Sequence, residues 1–368
     1  MAGPPVRRLV IKLGSALVTS GEGPRTAFLS DIAADVAALR RDGTEVILVS
    51  SGAVALGLGR LGLSRSPRLD HKQAAAAAGQ PFLMQAWETA FASHDLCTAQ
   101  LLLTAHDTED RRAFLNARST IAALLKAGAV PIINENDSTA TAELRVGDND
   151  RLSARVAQLA GADLLVLLSD VDGLYTADPR RDPDAAHVPD VAAVTPAIIA
   201  LAGGASGSGP GTGGMRTKLE AARIAAAAGC ATLIGSGTEP GALRRLLSGE
   251  ARRTRIAADG SPARAYKAWI AGTLAPIGSL VIDAGAAAAL RRGSSLLPSG
   301  VTAAEGAFAR GDCLSVRDPD GEEIARGLSR YDADEARRLL GARGDEITAR
   351  LGYSRGDALI HRDDMVLR

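Results

Sequence analysis

The chain reads as an α/β protein: an open, mostly parallel sheet covered by helices on both faces, with a second, smaller domain of mainly β character behind it. Three observations predict this. Strand-length runs in the first two-thirds of the chain are apolar throughout instead of alternating, as strands buried on both faces must be. These runs alternate with amphipathic helical segments over short connections, the pattern of a parallel sheet. Past Thr254 the pattern changes to short strand-like pieces separated by turns.

In chain order, Leu9–Leu13 is the first predicted strand. A helix over Ala27–Arg41 follows, with Phe28, Ile32, Val36 and Leu39 on one stripe, Thr26 placed to cap it and Gly43 to end it. Val46–Val49 and Leu101–Leu103 are strands, Ala113–Ala127 a helix and Val130–Ile133 a strand. Leu152–Ala160 is a helix, Leu164–Leu168 a strand, Thr217–Ala228 a helix and Thr232–Ile234 a last short strand. The polar stretch Thr254–Lys267, with Gly260 and Pro262, reads as the linker, and the division drawn from it is 1–256, a linker over 257–272, and 273–368. In the second domain, Gly278–Ile282, Cys313–Val316 and Glu323–Leu328 are strand-like, and Asp334–Leu340 is helical. Between the last two strands, Asp318-Pro319-Asp320-Gly321 is a turn sequence, in which Pro sets φ and Gly takes the left-handed position. No internal repeat is visible.

Composition narrows the function classes. The 368 residues are 46% apolar, and 42 Lys plus Arg balance 42 Asp plus Glu. That balance argues against binding nucleic acid or a membrane surface, which normally leaves a basic excess. With only 5 Phe, 2 Trp and 4 Tyr, the core must be built from Ala, Val, Leu and Ile. Cys97, Cys230 and Cys313 are far apart in sequence, which points to a reducing compartment with each thiol a small buried hydrophobe. The apolar run at Leu9–Leu13 is broken by Lys12 and too short for a secretion signal, and no run reaches the roughly 18–20 residues of a membrane span. A cytoplasmic enzyme or binding protein is expected. The five histidines form no ligand-spaced pair, so a zinc site is not expected, and no G-x-S-x-G elbow occurs.

The chemistry is concentrated where strands end. In open α/β sheets, ligands bind at the carboxyl ends of parallel strands. Five predicted strands run into polar or glycine clusters: Lys12-Leu13-Gly14-Ser15, Ser50-Ser51-Gly52-Ala53, Asn134-Glu135-Asn136-Asp137, Ser169-Asp170 and Gly235-Ser236-Gly237. Together they predict a site for a small charged molecule. Lys12 interrupts an apolar strand; it is either a strand-end lysine reaching for water or a cation placed for an anion, and the following Gly14 and Ser15 favour the second. Gly147-Asp148-Asn149-Asp150 precedes a helix and offers three capping residues where one suffices, a surplus able to bind an ammonium group or orient lysines. Asn134, Asp137, Asp148 and Asn149 thus make an acidic, amide-rich patch suited to an amino-acid backbone. From Gly203 to Gly214 the chain holds seven glycines, and Met215-Arg216-Thr217-Lys218 then opens a helix. A flexible loop is one reading of that run, and a phosphate cradle with Lys218 as counter-charge is the better one. It is no Walker A loop. Gly209, Gly211 and Gly214 satisfy G-x-G-x-x-G but lie near the end of the sheet, with no acid about 20 residues on, which argues against a dinucleotide fold.

These residues carry a resemblance. Ile11–Ser15, Val49–Ala53, Ile133–Asp137, Val146–Asp150 and Gly211–Lys218, with Gly293–Pro298 and His361–Met365 further on, are similar in sequence and order to the glutamate 5-kinases, a branch of the amino-acid kinase family followed by a PUA domain. The resemblance covers nearly the whole chain. It implies an amino-acid kinase domain over 1–256, a PUA domain over 273–368, and ATP-dependent phosphorylation of the γ-carboxylate of L-glutamate, the first step of proline synthesis, subject to feedback inhibition by proline. By the same resemblance Lys12 contacts ATP, Ser51, Asp137 and Asn149 bind glutamate, and Ser169, Asp170 and the segment Thr212, Gly213, Gly214, Met215, Arg216, Thr217 and Lys218 meet the nucleotide. Asp150 holds Lys12 and Lys218 in place, and these three form the expected catalytic set. ATP and Mg²⁺ are the implied cofactors, with the metal ligands unknown. The implied setting is a homo-oligomer whose labile product passes to a γ-glutamyl phosphate reductase. Position 169 is often Thr in relatives, and Ser keeps the hydroxyl; Arg216 stands at a variable position. RNA binding through the PUA domain is the rival reading, weakened by 15 Lys plus Arg against 16 Asp plus Glu from Asp259 to Arg368. A related carboxylate kinase with another acid substrate is the nearer alternative.

Overall fold

The computed structural model describes residues 6–20, 23–64, 68–139, 149–202, 214–273 and 275–368. The chain divides into two compact units, Met1–Pro262 and Ala263–Arg368.

The first unit is built on an eight-stranded sheet. Its strands are β1 (Arg8–Leu13), β2 (Glu45–Ser50), β3 (Thr98–Leu103), β4 (Val130–Glu135), β5 (Leu164–Ser169), β6 (Asp190–Val191), β7 (Ala231–Ser236) and β8 (Arg253–Ile256). They lie in the order β6-β8-β7-β5-β1-β2-β4-β3. From β7 to β3 every pairing is parallel, and β8 joins β7 antiparallel. After β1 the chain lays β2, β4 and β3 on one side, then returns to place β5 and β7 on the other, so strand order reverses between β1 and β5. A crevice opens at the carboxyl ends beside such a reversal.

The central strands are buried along nearly their whole length, and Leu9, Ile11, Leu13, Val46, Leu48, Leu164, Val166 and Leu168 join one core cluster. The predicted strands and helices exist, with shifted ends. The first long helix, α1, covers Thr26–Arg41, so Thr26 is its first residue and makes no side-chain cap. Helix α4 (Arg111–Lys126) is capped by the Asp110 carboxylate, which accepts from Ala113 N–H at 2.9 Å. Helices α5 (Asn149–Ala160) and α6 (Met215–Ala227) begin at the polar clusters expected to precede them.

Several helices had no counterpart in the sequence reading, and two of them shape the site: α2 (Ala53–Leu61) and α3 (Leu69–Ala92). They cross so closely that a Cβ on Gly57 would sit 1.7 Å from Ala75 O, and one on Gly79 1.8 Å from Ala53 O. Backbone against backbone leaves no room for a side chain at either position, and this contact places the buried stripe of α3, Ala76, Gln80, Leu83, Trp87 and Phe91, beneath the sheet edge. The polar stretch predicted as linker starts in β8, and a helix, Pro262–Thr273, begins inside it and runs beyond its end. Cys230 and Cys313 are buried as expected, whereas Cys97 is exposed at the mouth of β3, a correction to the reading of three buried thiols.

The second unit holds a five-stranded, mostly antiparallel sheet of Gly278–Ile282, Val301–Glu305, Cys313–Arg317, Glu323–Leu328 and Met365–Leu367. Its core gathers Leu280, Val316, Tyr331, Leu339, Ile347 and Ile360. The predicted turn forms: Gly321 has φ +85°, and the Asp318 carboxylate accepts from the N–H groups of Asp320 and Glu322, each at 3.0 Å. Among the described residues no helix is long and apolar enough to cross a membrane.

Candidate active site

Two adjacent residues at the start of α5 organise the carboxyl edge of the sheet. Asp150 turns toward β1 and α6, and Asn149 toward β2 and β4.

Asp150 is fully buried, and its carboxylate is held by two lysines. Lys12 Nζ, from β1, lies 2.5 Å from Oδ1; Lys218 Nζ, from the first turns of α6, lies 3.1 Å from Oδ2. The Thr217 hydroxyl donates to the same Oδ2 at 3.0 Å. Lys12 and Lys218 are themselves 5% and 3% exposed, so the cluster is dry. Burial disfavours the Asp150 anion, but the two ammonium groups overcome that penalty and hold its carboxyl below the usual carboxylate range. Two cations on one anion leave the cluster net positive. A lysine near a helix N-terminus opposes the helix dipole, so Lys218 and the start of α6 both add positive potential at this spot. The space beside it is open. A Cβ on Gly14 would meet only Leu168 O at 3.8 Å and Lys12 Nζ at 4.0 Å, and one on Gly214 would meet nothing within 4 Å. Glycine at these positions leaves room for an anionic group against the ammonium of Lys12, and the residues present fit a nucleotide's phosphates.

Asn149 opens the other half, which carries no charge. Its Nδ2 donates to Ser51 Oγ at 2.6 Å and to Asn134 Oδ1 at 3.0 Å. Asn134, at the end of β4 and 2% exposed, donates in turn from Nδ2 to Gln80 Oε1 at 2.9 Å. Gln80 Nε2 continues to Gln100 Oε1 on β3 at 2.9 Å. Beneath Ser51, the Ser50 hydroxyl accepts from Trp87 Nε1 at 2.9 Å. Gly52, with φ +121°, turns the chain from β2 into α2; a Cβ there would lie 2.9 Å from Thr19 Cγ2, so only glycine lets Ser51 sit at this edge.

The structure thus unites Lys12, Asp150, Thr217 and Lys218 in one contact set and Ser51, Asn134 and Asn149 in another. Asp137 lies in the turn after β4 without a hydrogen bond to either set among the described residues, and burial raises its carboxyl above the usual range. Ser169 closes β5 and is buried, while Asp170 beyond it is exposed. Gly214 occupies the cap position of α6 and Met215 opens it. Arg216 turns outward to Glu220 at 3.3 Å. Asp148, Thr212 and Gly213 lie outside the described residues, as does most of the glycine run. Gln80 and Gln100 went unsuspected in the sequence; the available signal was a glutamine standing on the buried stripe of an alanine-rich helix.

Known proteins share this arrangement of sequence. Residues 7–236 match the amino acid kinase family and residues 278–351 the PUA domain. The chain is 57% identical to the glutamate 5-kinase of Caulobacter vibrioides, over 98% of this chain and 96% of that protein. It is 53% identical to the glutamate 5-kinase of Paramagnetospirillum magneticum, over 98% of both chains. With the glutamate 5-kinase 1 of Rhizobium meliloti it shares 54% identity, over 98% of this chain and 92% of that protein. The chain belongs to the amino acid kinase family, among the glutamate 5-kinases, and carries a PUA domain behind its kinase domain.

Proposed function

We propose that the chain transfers the γ-phosphoryl group of ATP to the γ-carboxylate of L-glutamate, yielding γ-glutamyl phosphate and ADP, as the first step of proline synthesis. The observation that carries this reading is the buried Lys12–Asp150–Lys218 cluster at the reversal of the sheet. A γ-carboxylate has a pKa of about 4.3 and is already ionised near neutral pH, so the reaction requires no general base. Its obstacle is the approach of one anion to another. Two lysines preorganised in a dry site, with their positions fixed before substrate arrives, answer that obstacle directly.

In this reading Lys12 and Lys218 neutralise charge on the transferring phosphoryl group and Asp150 holds both ammonium groups in place. Ser169, Asp170 and Gly214 through Lys218 border the nucleotide, with Thr212 and Gly213 completing that stretch. Ser51, Asn149 and Asp137 read the ammonium and α-carboxylate of the amino acid, and Asp148 and Asn134 belong to the same expected substrate set. Among the described residues no three His, Cys, Asp or Glu side chains gather as a metal site. Mg²⁺, bound with the nucleotide, would supply further charge neutralisation at its phosphates.

The same proposal has finer parts. Proline offers the α-carboxylate and a cationic nitrogen that this pocket would read, which makes it the expected feedback inhibitor. The acyl phosphate is labile, so a γ-glutamyl phosphate reductase is its expected acceptor. A homo-oligomer in the cytoplasm is the expected setting.

The decisive assay traps acyl phosphate as hydroxamate, with ATP and Mg²⁺ against L-glutamate, L-aspartate, N-acetylglutamate and no acid. Product from glutamate alone is the expected outcome. Product from another acid keeps the lysine roles and removes the substrate assignment. Product from none turns attention to the PUA domain as an RNA-binding module, for which a salt-dependent gel shift with tRNA is the measurement.

A further inference from the structure

We infer that Gln80 and Gln100 are positioning residues that, through Asn134, fix which edge of Asn149 and which end of the Ser51 hydroxyl face the substrate, so that the pocket selects an acid carrying an α-ammonium group. The inference rests on the glutamate reading above.

The direction of the chain of amides follows from one donor that cannot turn round. The backbone N–H of Glu135 donates to Asn134 Oδ1 at 2.9 Å. An N–H needs an acceptor, so this edge of the Asn134 amide is its oxygen, and the other edge is its NH₂. The NH₂ faces Gln80 at 2.9 Å, which makes that atom of Gln80 the oxygen and commits its NH₂ to Gln100. On the other side the Asn134 oxygen faces Asn149 at 3.0 Å, so the contacting atom of Asn149 is its NH₂. Both hydrogens of that NH₂ are then used, one on Asn134 and one on Ser51.

Two consequences reach the substrate. Asn149 Oδ1 is left as a buried acceptor with no hydrogen-bond partner among the described residues. A buried acceptor without a partner costs about 1–3 kcal/mol, and an ammonium group would satisfy it. The Ser51 oxygen is occupied as an acceptor, so its hydrogen remains to be donated, which suits a carboxylate. An amide turned the other way would present NH₂ to the ammonium and repel it. Gln80, 8% exposed on the inner stripe of α3, accepts from the Asn134 NH₂ and so stops Asn134 from rotating away. Gln100 secures Gln80 from β3.

The test compares L-glutamate with glutarate, which lacks the ammonium group, as phosphoryl acceptors. In Gln80→Met the apolar side chain offers Asn134 no acceptor. The expected result is an L-glutamate KM raised about tenfold, kcat and the ATP KM within about threefold of wild type, and a glutarate KM raised by less than about threefold. Gln80→Glu keeps an oxygen facing Asn134 and should retain most of the glutamate affinity that Gln80→Met loses. Gln100→Met, at an exposed position that folding tolerates better, should move the same ratio in the same direction by about two- to fivefold. An unchanged glutamate KM in Gln80→Met and Gln100→Met, or an equal rise for glutarate, overturns the inference while leaving the glutamate activity standing. Wild-type enzyme without glutamate activity overturns the proposed function and this inference with it.

Discussion

The two halves of the site begin on neighbouring residues and solve opposite problems. Asp150 sits among ammonium groups, with Lys12 and Lys218 buried around it and the half-buried Thr217 donating to its charge. Asn149, one residue earlier, sits in a chain of neutral amides and hydroxyls. Buried charges attract strongly but are non-specific about what brings the opposite sign, and they cost several kcal/mol when a partner is removed. Neutral amides attract weakly, yet their donors and acceptors have direction, so they sort ligands by hydrogen-bond polarity. Under the proposed function, that difference would give rate to the charged half and selection to the neutral half.

The largest effect should come from breaking the charged half at its centre. Asp150→Asn leaves two ammonium groups buried without their anion. A fall in kcat of about a thousandfold and a loss of about 3–5 kcal/mol in stability are expected, measured by steady-state kinetics and denaturant unfolding. Lys12→Ala and Lys218→Ala should each lower kcat by about a hundredfold or more while changing the glutamate KM far less. An unchanged kcat in either removes that lysine from the reaction.

Acid should separate the charged half from substrate binding without any substitution, through Asp137, a carboxylate of the proposed glutamate site outside both hydrogen-bonded sets. Burial raises the Asp137 carboxyl, so on acidification it loses its charge before an ordinary carboxylate would. The lysines hold the Asp150 carboxyl low, so its charge persists further. As pH falls, the glutamate KM should therefore climb while kcat still holds, and in Asp137→Asn, whose KM is raised about tenfold throughout, this acid limb should disappear apart from the titration of glutamate itself. The signs for stability are opposite. For Asp137 the folded pKa lies above the unfolded one, so its ionisation costs stability as pH rises through that interval, and Asp137→Asn should raise Tm at neutral pH. For Asp150 the folded pKa lies below, so its contribution is present above the unfolded pKa and is lost as pH falls through the folded one. A kcat that fails before KM moves would reverse the assignment of the two halves.

The charged half was the more legible in sequence. Lys12 broke an apolar strand, and a surplus of polar residues stood before α5, so both were visible as departures from a local pattern. The parallel sheet was legible for the same reason, because strands buried on both faces leave runs such as Leu164–Leu168 with no polar residue. Gln80 left no comparable mark. Its helix, α3, is rich in alanine, contains Pro81, and packs on α2 backbone to backbone through Gly57 and Gly79, so the large side chains of its stripe, Leu83, Trp87 and Phe91, begin only after Gln80. Its partners Asn134 and Gln100 lie on different strands, and no spacing along the chain relates them. The strand β8 hid in the same way: three of the four residues of Arg253–Ile256 are polar, as suits a strand toward the antiparallel margin of the sheet.

The smallest expected effect tests whether charge alone suffices. Arg216 and Lys218 stand two residues apart at the start of α6 with the same sign. Lys218 is 3% exposed and bound to Asp150, whereas the Arg216 side chain is 64% exposed and paired with Glu220 one turn on. An exposed i,i+4 pair contributes about 0.3–0.5 kcal/mol, and an exposed charge acts on phosphates through water and salt. Arg216→Ala should therefore change kcat and the ATP KM by less than about threefold at physiological salt, with Tm nearly unmoved. A drop beyond tenfold that survives high salt would mean that Arg216 leaves Glu220 and enters the site when nucleotide binds, and the charged half would then extend one turn further along α6 than the contacts at Asp150 define.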